Sequence, residues 1–70
     1  MSNLAETLYY QIHNFVLLGD SNNAKTYLGF LRDEYERDYS QFQVLKEDER
    51  WEHLIELGNV IDNNLPRMCG

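Results

Sequence analysis

Seventy residues hold one domain and leave no room for a second. With 43% hydrophobic residues the chain is expected to fold, and a net charge of −6 denies it the basic surface that a nucleic-acid backbone or an anionic membrane requires. The lone Cys69 cannot close a loop, no apolar run is long enough to span a bilayer, and no secretory leader opens the chain, so a cytoplasmic location is expected.

Asn3 opens a first helix over residues 4–18 as N-cap, with Glu6 three residues on completing a capping-box pattern, and Gly19 stops it. At 100° per residue, Leu4, Ala5, Leu8, Tyr9, Ile12, Phe15 and Val16 share one face of that helix. Asp20-Ser21 then caps a second helix over 22–39, with a stripe of Ala24, Tyr27, Leu28, Leu31, Tyr35 and Tyr39. So short a connection makes the first two helices antiparallel neighbours.

The chain bends over 40–46, where Ser40 and Gln43 form another capping pattern and Phe42, Val44 and Leu45 form a hydrophobic plug. A third helix follows over 47–63, its first turn acidic to suit the helix dipole. Its seam is Trp51, Leu54, Ile55, Gly58, Ile61 and Leu65, with Leu57 at the edge. Residues 66–70 form a frayed tail beyond Pro66. No alternating pattern or Asn-Gly turn signals a strand. The fold class is therefore all-α, a small three-helix bundle.

Catalytic chemistry finds no constellation in this sequence. Cys69 sits in the tail without a base beside it. His13 and His53 lack the paired spacing of a helical metal site, although Glu49 lies four residues before His53. Asp20-Ser21-Asn22-Asn23 resembles the start of a calcium loop only until Ala24 and Lys25, which occupy a ligand position and the glycine turn. No enzyme activity, cofactor or metal is expected.

Three features point elsewhere. Glu6 is the only formal charge among the fifteen residues of the first helix, and Tyr10, Leu17 and Leu18 fall outside its main face. Phe30 and Val60 lie off the stripes of their helices and Phe42 lies in the bend, so Tyr10, Leu17, Leu18, Phe30, Phe42 and Val60 form the expected partner-binding set. Residues 33–56 carry nine acids against three bases, and Asp48, Glu52 and Glu56 stack at i, i+4 and i+8 with nothing opposite. Gly58, in mid-helix, costs about 1 kcal/mol relative to alanine, which close approach by another helix would offset.

The expected function is that of a small adaptor or regulator, binding a partner protein through uncharged aromatic and aliphatic helix surface and forming a homodimer. Direct nucleic-acid or membrane binding is not expected. The alternative is an acidic inhibitor or nucleic-acid mimic that blocks a basic site with Asp48, Glu52 and Glu56.

Overall fold

The computed structural model describes residues 3–63, with only the backbone of Asn63. They form helix α1 over Leu4–Leu18, helix α2 over Ser21–Arg37, a 3-10 turn over Tyr39–Phe42, a one-turn helix α3 over Gln43–Lys46, and helix α4 over Glu49–Asn63. The described chain is thus all-helical, but the three-helix count is corrected to four. The bend is itself helical, because a connector pressed against a core must satisfy its own backbone groups. Helical spacing also brings Phe42 and Leu45, three residues apart, to one side. The tail at 66–70, Cys69 and the seam residue Leu65 lie outside the described residues.

Both ends of α1 are fixed by residues the sequence names. The Asn3 side-chain oxygen accepts from the Ala5 and Glu6 amides at 2.8 and 3.3 Å. Gly19, at φ 71°, supplies the left-handed residue of a Schellman stop, its own N–H reaching Val16 and that of Asp20 reaching Phe15. The capping box is not completed. Glu6 instead pairs with Arg50 of α4, its carboxylate 2.7 Å from Nη1.

Two acids shift the expected boundaries. Helix α2 stops at Arg37 because Asp38 is extended, and its carboxylate accepts from the Ser40 hydroxyl at 2.5 Å and the Gln41 amide at 3.4 Å. Helix α4 begins at Glu49, with Asp48 outside it, accepting from the Arg50 amide at 3.0 Å. Tyr39 consequently leaves the α2 stripe and is exposed.

Helices α1 and α2 are antiparallel across the short turn, with the Phe15 and Tyr27 rings tilted against each other 5.0 Å apart. The start of α4 lies beside the end of α2, where Tyr35 and Trp51 are 6.0 Å apart. Helix α4 therefore runs back along α2 and parallel to α1, meeting it through Arg50–Glu6 and through Tyr9–His53. The core comprises Ala5, Leu8, Tyr9 and Ile12 of α1, Ala24, Leu28 and Leu31 of α2, Phe42 and Leu45 of the connector, and Leu54, Leu57 and Ile61 of α4. Burying each large side chain among these stabilises the fold by roughly 1.5–3 kcal/mol.

Candidate protein-binding groove

Helices α2 and α4 do not close on each other. Between them runs a groove of about 410 Å³ floored by Leu28, Leu31, Phe42 and Leu54, with Tyr35, Trp51 and Ile55 on its walls. Phe42 lies at one end of the groove. Only 1% exposed, its ring lies edge-on 5.0 Å from Tyr35 and 6.4 Å from Trp51, whose own rings stack 6.0 Å apart between α2 and α4. Lys46 caps this end, its ammonium 4.9 Å from the Trp51 ring centre and 5.2 Å from that of Tyr35. Towards the other end Arg32 reaches from α2 to Asp62 at 2.8 Å.

Two residues mark the groove as unfilled. Ile55 belongs to the expected α4 seam, yet it is 50% exposed and lines the groove. Gly58 also lines the groove, and a Cβ added there would meet nothing within 4 Å. Of the two helices that could approach Gly58, one within the chain or one from a second copy, no internal one does so among the described residues. The glycine's mid-helix cost of about 1 kcal/mol therefore has no offset within the described chain.

The expected partner-binding residues do not assemble into one patch. Tyr10 is exposed but bound, its hydroxyl 3.2 Å from Arg50 Nη1. Leu17 lies two turns along the same stripe and is 71% exposed; Leu18, on the side of Phe15, is 78% exposed. Phe30 is half-exposed and edge-on to Tyr27, on the far side of α2 from the groove by helical register. Val60 is partly buried against the core. Phe42 is corrected outright: it is core, because the helical bend turns it inward.

The acidic stack is corrected as well. Asp48 precedes α4 and lies 2.8 Å from Arg50 Nε, so it has a base opposite. Glu52 and Glu56 remain exposed. Among the described residues they form no ion pair, and neither do Asp33, Glu36 and Glu49. The described arginines, by contrast, are all engaged by carboxylates: Arg32 by Asp62, Arg37 by Glu34, and Arg50 by Glu6 and Asp48. The Glu6 carboxylate, then the Tyr10 hydroxyl and Asp48, hold the Arg50 guanidinium's pKa well above its ordinary value.

The structure also gathers two histidines that the sequence leaves apart. Tyr9 Oη lies 2.6 Å from His53 Nδ1, and the His13 and His53 rings meet edge-to-face at 4.9 Å. Burial, chiefly, pushes the Tyr9 phenol above its ordinary value. The cluster ties α1 to α4, and among the described residues no carboxylate hydrogen-bonds to it. Among the described residues no group of three or more His, Cys, Asp or Glu is arranged to hold a metal ion. No described helix is long and apolar enough to cross a membrane. Comparison with known protein families, with curated proteins and with solved structures finds no match.

Proposed function

We propose that this chain is a non-enzymatic protein-interaction module whose α2–α4 groove receives the apolar face of a helix from a partner protein. The observation that carries the reading is Ile55, half in water beside an aromatic wall, over a groove that reaches the core. No buried side-chain polar atom among the described residues is left without a partner. The polar residues that line the groove, Arg32, Asn59 and Asp62, lie towards one end of it, and Arg32 and Asp62 are paired with each other, which leaves few groups to orient a small ligand. A helix seated by large apolar side chains at i, i+3, i+4 and i+7 needs none. From Trp51 to Asp62 the α4 wall spans roughly 17 Å, about three turns of such a helix. The open space over Gly58 lets the partner's backbone come close.

Trp51 is the only tryptophan of the chain and lines the groove, so it reports on occupancy. The test is a fluorescence titration with a helical peptide bearing a Leu/Ile stripe and an uncharged Gln back. Saturable change at Trp51 with a Kd below about 1 mM is expected for the native chain, and not for Ile55→Asp. A flat titration, or equal binding by Ile55→Asp, removes the groove from consideration.

The acidic-inhibitor reading keeps Glu52 and Glu56 but loses Asp48 to Arg50. It differs in needing no apolar contact.

A further inference from the structure

Building on that reading of the groove, we infer that the helix it receives is basic, with lysine or arginine flanking its apolar stripe. The argument is one of charge left over. Every described arginine already faces a carboxylate, and Lys46 lies against the two wall rings with its ammonium 3.2 Å from the Tyr35 hydroxyl.

The acids around the groove are not answered in this way. Glu36 lies one turn beyond Arg32 on the α2 rim, and Asp33 just outside it. On α4, Glu52 precedes Ile55 by three residues and Glu56 follows Glu52 by four, so both border the outer edge of the Ile55 wall. All four are exposed and form no ion pair among the described residues. Among the described residues, Lys25, towards the Asp62 end, is the remaining rim cation.

An apolar floor between acidic rims fits an amphipathic helix with cationic flanks. A second copy of this chain fits poorly. It would carry another −6 and the same unanswered acids to the rim.

Three synthetic helical peptides of about 18 residues decide the matter. They share one Leu/Ile stripe and carry Lys, Gln or Glu on the flanks. Trp51 fluorescence is titrated at low and high salt, and circular dichroism verifies that each variant protein is folded. The Lys peptide should bind about tenfold tighter than the Gln peptide at low salt, with the Glu peptide weakest. High salt should erase most of that advantage. The combined variant Glu36→Gln, Glu52→Gln and Glu56→Gln should erase it too, while binding the Gln peptide unchanged.

Equal affinity for Lys and Gln peptides overturns the basic partner and leaves the groove standing. Failure of all three peptides overturns the groove itself. Undiminished Lys-peptide binding by Ile55→Asp assigns the interaction to the acidic face alone and overturns the inference. A dimer on sizing that Ile55→Asp dissociates makes the second copy the occupant and overturns it as well.

Discussion

Helix α2 is covered from two sides, and the two seams are finished differently. Towards α1 the contact is closed. Ala5 and Ile12 are buried in one core with Ala24 and Leu31, the Gly19 turn fixes one end, and at the other the Asn3 side-chain amide donates to the Gln41 carbonyl of the 3-10 turn at 2.8 Å. Towards α4 the contact is open. Phe42 packs edge-on against both Tyr35 and Trp51 at one end, and beyond it Ile55 is half exposed and Gly58 faces unfilled space. The difference follows from the connections. A tight turn leaves α1 and α2 little freedom in how they align, whereas residues 38–48 insert their own side chains between α2 and α4.

The largest effects should separate the seams directly. Ile12, fully buried in the closed seam, should cost about 2–5 kcal/mol on truncation to alanine. In a chain this small, that is a large part of the whole stability. Ile55→Ala should cost about 1 kcal/mol or less, because half of the side chain is already in water. Urea denaturation of the two variants measures both. Comparable losses would mean that the α2–α4 seam is as closed as its neighbour, and the contrast would dissolve.

A second effect distinguishes the seams by pH. Glu34, a buried carboxylate on α2, accepts from Arg37 Nε at 2.9 Å and also bonds Arg37 Nη2 and Gln41 Nε2. The Arg37 hydrogen bonds, foremost, hold its pKa below the ordinary 4.5. A carboxylate depressed in the folded state adds stability above its unfolded pKa, and that stability is lost as pH falls through the folded value. Melting temperature should therefore drop on acidification below about pH 4.5, and less steeply in Glu34→Gln. The two proteins should differ most near neutrality and converge in acid. Asp38, whose pKa is lowered chiefly by the Ser40 hydroxyl, retains its own part of the slope. Parallel melting curves for the two proteins would show that Glu34 does not fasten the connector.

How far these features could be read in advance depends on whether their causes are local. Helix α1 is legible to the residue because Asn3 and Gly19 both act within one turn of its ends. The end of α2 and the start of α4 are less so, since Asp38 and Asp48 look like helical acids until their side chains are seen bonding to the backbone or to polar neighbours beyond them. Phe42 is off every stripe for the same reason that it is buried: the bend has a helical register of its own. An apolar residue in a bend reads equally well as plug or as surface, and only packing decides. The Tyr9–His53 bond joins residues 44 apart, and no spacing rule reaches that far. The groove was least legible, because it depends on how far α2 and α4 are set from each other, which no pattern within either helix records.

Two glycines sharpen the contrast at smaller amplitude. Gly29 and Gly58 are both mid-helix, and a Cβ at either would meet nothing within 4 Å. Alanine at each should raise stability by up to about 1 kcal/mol, since the helix gains propensity and no contact is strained. Only Gly58 lines the groove. Gly58→Ala should therefore weaken the apolar peptide while Gly29→Ala leaves it untouched. Equal affinities would show that the partner's backbone does not approach α4 there.

The smallest effect bears on whether the groove is free or strapped. Arg32 and Asp62 join α2 to α4 across it, yet their side chains are 61% and 47% exposed. Exposed pairs of this kind contribute about 0.5 kcal/mol, and salt screens them. Arg32→Ala should thus shift the urea midpoint slightly at low salt and hardly at all at high salt. If the two helices were held mainly by this pair, removing it would loosen α4, quench the Trp51 signal and cost well over 1 kcal/mol. If the core holds them, Trp51 keeps its environment and the groove stays formed without the strap. Burial of Leu54, Leu57 and Ile61 favours the second outcome, because three large apolar side chains outweigh one solvated ion pair several-fold.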